Sequence, residues 1–389
     1  MADFNWKNNG KNKLMIIAGT RPEIIRLAAV MKCAREYMDT CIVYTNQNYD
    51  PNLSLVFWED LELGGPDILL NVAGKNLGET CGNIISQTYD LMVEYKPDAV
   101  LVLGDTNSCL SAINAKRLHT PVFHMEAGNR CKDECLPEET NRRIVDIISD
   151  VNLPYSEAAR RYLIEMGFPK ERIYVTGSPM AEVLTGNLDK IKNSDVLERL
   201  GLEKGKYILL SAHREENLDS EKNFNSLFNA INALAKKYDV PVLYSCHPRS
   251  KKKLEETGFV LDPRVKANVP LNFSDYNNLQ MNSLAVISDS GTLPEESSFY
   301  ISIGSPIAAV CIRTSTERPE AIDAGDFIIA GITENELLQA TDMAIEMRDK
   351  GLLGKPCPDY TDTNVSMKVI RIIQSYTNIV NRMVWRKDI

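Results

Sequence analysis

Short aliphatic runs alternate with amphipathic, helix-period segments along the whole of this 389-residue chain, and that alternation leaves few folds open. Residues 14–18, 41–45, 99–103 and 122–125 are brief and almost wholly apolar, as parallel strands buried on both faces must be. Between them lie helix-period segments such as 77–95, where Leu77, Cys81, Ile84, Ile85, Thr88, Leu91, Met92 and Tyr95 fall on one face. The rhythm restarts after 173–176 and the Gly177-Ser178-Pro179 break. There the strand candidates are 207–211, 242–246, 285–288, 307–311 and 327–329, with helices over 223–238, 274–281 and 333–348. The polar stretch 186–205 fits a surface helix and loop. A final helix over 364–386 gathers Val365, Val369, Ile372, Ile373, Tyr376, Val380 and Met383 on one face. Repeated βαβ units mean open parallel sheets with helices on both sides. The expectation is an α/β chain of two doubly wound, Rossmann-like domains with a cleft between them. Residues 1–12 read as a disordered or flexible tail, 13–178 as the N-terminal catalytic domain and 179–363 as the C-terminal domain. Residues 364–389 read as a helix returning to the first domain.

Charge narrows the partners. The chain has 44 Lys plus Arg against 53 Asp plus Glu, a net −9, which argues against nucleic acid and against anionic lipid. An anionic ligand must then be held by a few placed cations. The polar N-terminus has no apolar h-region, and no apolar run reaches the ~20 residues that span a bilayer. The nine scattered cysteines form no C-x-x-C. Cys131 and Cys135 lack two partners at zinc-ribbon spacing, and Cys246-His247 stands alone, so no metal site is expected and the thiols read as reduced, in a cytoplasmic protein.

In doubly wound sheets ligands bind beyond the carboxyl ends of the strands, so the strand exits are the places to look. Gly19-Thr20-Arg21-Pro22-Glu23 follows the first strand. Its glycine permits a close turn, and a helix N-terminus offers free N–H groups to an anion, with Arg21 and Arg26 nearby. The alternative is an ordinary turn with a solvated Arg. Gly104-Asp105-Thr106-Asn107 follows another strand, and Asp105 reads either as a helix cap or as a site residue. Next comes His124-Met125-Glu126-Ala127-Gly128, where a charged residue at the end of a buried strand needs a partner or a job. Pro137-Glu138-Glu139-Thr140-Asn141-Arg142-Arg143 reads as a helix start, acids being favoured in the first turn. Together, Asp105, Glu126 and Glu138 would converge at one edge and perturb one another, which is how one residue type supplies both a base and an acid.

The second half carries Ser211-Ala212-His213-Arg214-Glu215-Glu216-Asn217 and Cys246-His247-Pro248-Arg249 after successive strands. Two of the four His residues thus stand at strand ends, which favours ligand contact over a structural role. Ser288-Asp289-Ser290-Gly291-Thr292-Leu293-Pro294-Glu295-Glu296 combines a strand end, a tight turn and a helix start. That arrangement suits a diphosphate, with backbone N–H groups and a hydroxyl as donors. Glu296, one turn in, is placed to accept from two ribose hydroxyls. G-x-G-x-x-G occurs nowhere in the chain.

Seven motifs occur in order: Gly-Thr-Arg-Pro-Glu, Leu-Gly-Asp-Thr, Met-Glu-Ala-Gly-Asn-Arg, Pro-Glu-Glu-Thr-Asn-Arg, Ala-His-Arg-Glu-Glu-Asn, Ser-Asp-Ser-Gly-Thr and Thr-Glu-Arg-Pro-Glu. Over about residues 13 to 386 the chain resembles the non-hydrolysing UDP-N-acetylglucosamine 2-epimerase family, which has the glycosyltransferase-B architecture. Gly-Thr-Arg-Pro-Glu-Ile-Ile-Arg, Asn46-Gln47-Asn48-Tyr49-Asp50, Gly-Asp-Thr-Asn-Ser-Cys, Glu-Ala-Gly-Asn-Arg-Cys and Met-Val-Trp-Arg look like the branch that makes UDP-N-acetyl-L-fucosamine for capsule and O-antigen. That branch inverts C2 of UDP-2-acetamido-2,6-dideoxy-L-talose. Arg26 and Asn46 stand where the N-acetylglucosamine enzymes carry Lys and Gly, and Arg is not a neutral replacement for Lys. The resemblance implies acid/base roles for Asp105, Glu126 and Glu138, and phosphate contacts for Arg21 and His213. It implies a diphosphate turn at Ser290, Gly291 and Thr292, a ribose acid at Glu296, and further substrate contacts at Arg26, Gln47, Arg142 and Arg318. It implies a UDP-2-acetamido sugar as substrate, no cofactor and a homodimer.

The chemistry follows from the substrate class. C2 has no carbonyl neighbour, and without a dinucleotide fingerprint transient oxidation has no evident carrier. A base that removes the C2 proton can instead expel UDP from C1, leaving a 2-acetamidoglycal. Protonation on the other face and re-addition of UDP invert C2. The leaving diphosphate needs donors as its charge grows. Two alternatives remain at this stage: a UDP-N-acetylglucosamine 2-epimerase making UDP-N-acetylmannosamine, and a UDP-sugar-dependent glycosyltransferase, which would not need three carboxylates in the first domain.

Overall fold

The structure, a computed structural model, describes residues 4–47, 52–131, 137–212, 214, 220–245, 248–268, 271–313 and 315–387. It divides into two compact units, residues 1–185 with 358–389 and residues 186–357.

The first unit is a parallel sheet of β1 (Lys13–Ala18), β2 (Asp39–Tyr44), β3 (Ile68–Leu69), β4 (Ala99–Leu103), β5 (Val122–Met125) and β6 (Val151–Leu153), in the order β3-β2-β1-β4-β5-β6. This is the doubly wound order, which reverses direction between β1 and β4 and opens a crevice at their carboxyl ends. β1, β2, β4 and β5 are almost wholly buried. The short edge strands β3 and β6 are absent from the sequence reading, because two or three residues carry too little aliphatic signal. Helix Leu77–Tyr95 begins where the Asn76 side chain accepts from the Glu79 N–H at 2.9 Å, an ordinary N-cap. Helix Val365–Met383 packs on helix Arg21–Tyr37 within this unit.

The N-terminal residues depart from the expected flexible tail. Phe4 meets Trp6 and Tyr95 edge-on at 5.0 and 5.5 Å, and the Trp6 indole donates to the Tyr95 carbonyl at 2.6 Å. The Lys7 and Asn8 N–H groups donate to Asp39. Two aromatic rings in a polar run are enough to dock it.

The second unit repeats the plan. β7 (Ile208–Ser211), β8 (Val242–Ser245), β9 (Val265–Asn268), β10 (Ala285–Ser288), β11 (Ala309–Ile312) and β12 (Ile328–Ala330) lie in the order β12-β11-β10-β7-β8-β9, all parallel. Counted from β7, that is the same doubly wound order, with its reversal between β7 and β10. β9 was missed because Lys266 and Asn268 interrupt its apolar run. Among the described residues the cysteines are free thiols, no group of three or more His, Cys, Asp or Glu could hold a metal ion, and no helix is long and apolar enough to cross a membrane.

Candidate active site

In the first unit the exits of β1, β4 and β5 are adjacent because the strands are adjacent: Ile17 pairs with Val102, and Leu103 with Met125. Glu126 leaves β5 with φ +64°, a left-handed conformation that costs a non-glycine residue about 1–2 kcal/mol. Its own N–H donates to the Leu153 carbonyl at 3.1 Å, and Asn129 Nδ2 donates to Oε1 at 3.1 Å. Arg26 Nη1 donates to Oε2 at 2.5 Å, a buried ion pair from helix Arg21–Tyr37. Gly104, with φ +67°, packs so close that an added Cβ would stand 3.2 Å from Glu126 Oε2. Of the two readings of this strand end, partner or job, the partner is Arg26.

Asp105 follows Gly104 and does not cap the next helix. Arg142 grips its Oδ2 through Nη2 and, at 3.1 Å, through Nε. The same guanidinium donates to Glu139 Oε2 at 2.9 Å, and Asn141 Nδ2 donates to the Asp105 carbonyl at 2.9 Å. These side chains come from helix Pro137–Ile148, whose acidic first turn the sequence marked. Its two acids have opposite fates. Glu138 is exposed, whereas Glu139 is buried among Arg142, Arg143 and the Cys131 N–H.

Glu23 was quoted in its motif but given no role. It is buried, and its carboxylate accepts from the Gly19 N–H at 3.0 Å and from the hydroxyls of Thr20, Thr106 and Ser108 at 2.8, 2.9 and 2.6 Å. Burial pushes its pKa up, and those four donors pull it partly back. Glu23 therefore occupies the Gly19 N–H and ties the β1 exit to the β4 exit. Arg21 lies over the Phe57 ring at 5.4 Å. Gln47 is half-buried, and its Oε1, like Thr45 Oγ1, has no hydrogen-bond partner among the described residues. A Cβ on Gly19 would stand 2.5 Å from Thr45 Oγ1 and 2.8 Å from Ser108 Cβ, so only glycine lets the β1 turn pass them.

In the second unit the β10 exit forms a chain of hydroxyls. Ser288 Oγ accepts from the Ser290 N–H at 3.0 Å, and the Ser290 and Thr292 hydroxyls lie 2.9 Å apart. Thr292 Oγ1 donates to Glu296 Oε1 at 2.9 Å, and Gln280 Nε2 donates to Oε2 at 2.7 Å. Gly291 sits half-buried inside this turn. Arg318, expected as a substrate contact, is instead 1% exposed and paired at 2.5 Å with Glu295, itself 0% exposed. His213 lies outside the described residues. Its neighbour Arg214 donates through its backbone N–H to Asp289 Oδ2 at 2.9 Å and through Nε to the Asp289 carbonyl at 3.1 Å.

The structure thus brings Arg26, Asp105, Glu126 and Arg142 together, and separately Ser290, Thr292 and Glu296. Glu23, Glu139 and Gln280 were missed. Glu139, Arg142 and Arg143 at i, i+3 and i+4 were a readable helical signal, whereas nothing local marks Glu23 or Gln280 as buried.

Fold and site define an α/β enzyme built on two Rossmann-like units. The family model for UDP-N-acetylglucosamine 2-epimerase matches residues 31–374. The structure is similar to that of UDP-N-acetylglucosamine 2-epimerase from Rickettsia bellii, with a TM-score of 0.88, 42% identity and coverage of 97% of this chain and 100% of that one. It is also similar to the Methanocaldococcus jannaschii UDP-GlcNAc 2-epimerase in complex with UDP-GlcNAc and UDP, with a TM-score of 0.86, 30% identity, and coverage of 93% and 99%. The UDP-2,3-diacetamido-2,3-dideoxy-D-glucuronate 2-epimerase of Pseudomonas aeruginosa is 30% identical over 349 residues, 88% of this chain and 95% of that protein. The chain belongs to the UDP-N-acetylglucosamine 2-epimerase family. It has the glycosyltransferase-B-like α/β fold and is an isomerase of the UDP-sugar 2-epimerase class.

Proposed function

We propose that this epimerase converts UDP-2-acetamido-2,6-dideoxy-L-talose to UDP-N-acetyl-L-fucosamine, in the making of capsule or O-antigen precursors. The observation that carries the reading is the Arg26–Glu126 ion pair, a guanidinium fixed against a carboxylate at the β5 exit. The family resemblance puts Lys at that position in N-acetylglucosamine enzymes. A planar fork and a flexible ammonium hold a carboxylate differently, and so shape a different sugar site. Asn46, at φ +51° and bonded through Nδ2 to Asn71 Oδ1 at 3.0 Å, changes the β2 exit in the same place.

The first unit supplies proton transfer and the second holds the nucleotide. One carboxylate of the set Asp105, Glu126 and Glu138 takes the C2 proton, the C1–O bond to UDP breaks, and a C1=C2 double bond forms in the 2-acetamidoglycal. A second group delivers a proton to the opposite face of C2, and the UDP oxygen re-forms its bond to C1. Arg21, His213 and the Ser290-Gly291-Thr292 turn donate to the diphosphate as its charge grows. Glu296 accepts from ribose. Its Oε1 accepts from Thr292 and its Oε2 from Gln280, which fix the carboxylate beside the Ser290 turn. Gln47 and Arg142 complete the sugar side. A homodimer belongs to the same reading, supported by exposed Tyr89 and Val93 one turn apart on helix Leu77–Tyr95.

The relatives named for UDP-N-acetylglucosamine favour a second reading, in which this chain makes UDP-N-acetylmannosamine. Turnover of the L-talo and D-gluco substrates side by side separates the two. The L-talo sugar should be preferred by roughly 10-fold or more in kcat/KM. Preference for the D-gluco sugar would overturn the L-fucosamine assignment and leave the second reading.

A further inference from the structure

Beneath the two carboxylates lies a fully buried His–Asp pair that the mechanism above does not use. His124, 0% exposed, lies in β5 two residues before Glu126. Its Nε2 lies 2.8 Å from the Gly104 carbonyl, on the turn that carries Asp105. A carbonyl only accepts, so Nε2 bears the proton. Its Nδ1 lies 2.9 Å from Asp146 Oδ1, off the line of a hydrogen bond. Asp146, also 0% exposed, accepts from the Gly128 N–H at 3.2 Å and from Arg130 Nη2 at 2.7 Å. It stands one helical turn after Arg142 on helix Pro137–Ile148, so one helix face reaches Asp105 through Arg142 and the Glu126–Gly128 turn through Asp146.

This pair is costly. Burying an imidazole and a carboxylate in the sheet interior carries a desolvation cost that an apolar residue at 124 would not incur. In return it supplies directional bonds to the turns beside both carboxylates. Gly104, Glu126 and Gly128 all hold positive φ, at +67°, +64° and +80°, so the two exits depend on such bonds to stay in one conformation.

We propose that His124, braced by Asp146, is a positioning residue for the C2 proton transfer. It locks the β4 and β5 exits together so that Asp105 and Glu126 keep a fixed separation. The inference rests on the epimerase reading above.

The test compares wild type with His124→Phe, His124→Gln and Asp146→Asn. For each, deuterium uptake at C2 of the UDP-sugar in D2O gives kcat and KM, calorimetry gives UDP affinity, and near-UV circular dichroism reports folding. Gln is the conservative variant, because its amide N–H can still reach the Gly104 carbonyl. His124→Phe should lose on the order of 100-fold in kcat, the cost of a misplacement near 1 Å, with KM and UDP affinity within about threefold of wild type. His124→Gln should recover at least about tenfold of that loss, since it restores the donor. Wild-type kcat in folded His124→Phe overturns the proposal, as does a Gln variant no better than Phe, or a loss of UDP affinity equal to the loss of kcat. If His124→Phe does not fold, Asp146→Asn decides: lowered kcat with KM retained supports the brace, and an unchanged rate overturns it. A wild type that gives no exchange overturns the epimerase reading and this inference with it, whereas an active wild type with unaffected variants overturns the brace alone.

Discussion

Asp105 lies two residues past β4 and Glu126 one past the neighbouring β5, and each is held by a guanidinium from a helix, Arg142 and Arg26. A neutral amide in either position keeps the shape and removes the base. Asp105→Asn and Glu126→Gln should each lower C2 exchange by about 1,000-fold or more, at the larger end of a single acid–base contribution. UDP affinity, measured by calorimetry, should stay within about threefold, because the proposed UDP contacts include neither carboxylate; an equal fall in affinity would contradict that division of labour. Much of this was legible from position alone, since a charged residue just past a buried strand has few other uses. The sequence reading named Glu138 and gave its neighbour Glu139 no role. The two acids are adjacent, and only the helix rotation decides which turns inward to Arg142. Glu23, His124 and Asp146 were illegible because each is defined by burial against partners remote in sequence, such as Ser108, 85 residues from Glu23, and Gly128, 18 residues from Asp146.

At the scale of elements, central strands were readable and edges were not, because an aliphatic run marks burial on both faces and an edge strand has less of it. The exits of those strands need glycines. A Cβ on Gly128 would lie 2.5 Å from the Ala159 carbonyl oxygen and 2.9 Å from Leu163 Cγ, at φ +80°. Gly128→Ala must push helix Glu157–Glu165 away from the β5 exit and should cost about 2–3 kcal/mol in urea unfolding. Because the same turn carries Glu126, C2 exchange should fall in the folded variant as well. A fully stable, fully active alanine variant would show that the turn relaxes without consequence. Helix caps went unread: Asn76, Ser156, Ser220 and Asn272 each accept from a first-turn N–H.

Across the molecule, one doubly wound order is used twice, and the repeated βαβ rhythm made that plan visible before any coordinate. The chain leaves the second unit at Cys357, whose N–H donates to Ser298 Oγ at 2.7 Å and to Asp326 Oδ2 at 3.2 Å. Asp326 is buried, and desolvation pushes its carboxyl from 3.8 up to about 6 against the pull of those bonds. A folded-state pKa above the unfolded one gives stability that is present below about pH 4 and lost as pH rises through about 6. Asp326→Asn keeps an oxygen for the Cys357 N–H but cannot ionise. Its melting temperature relative to wild type should therefore climb between pH 4 and pH 7.5; a flat difference would mean that Asp326 does not titrate with folding.

The central claim, that this isomerase inverts C2 by removing and returning its proton, is tested most directly by proton NMR. UDP-2-acetamido-2,6-dideoxy-L-talose is incubated with the enzyme in D2O with no acceptor present. The account predicts a UDP-N-acetyl-L-fucosamine product carrying deuterium at C2, with the 2-acetamidoglycal and free UDP at low level. Inverted product that retains its C2 proton, or no exchange on either the L-talo or the D-gluco sugar, would contradict it.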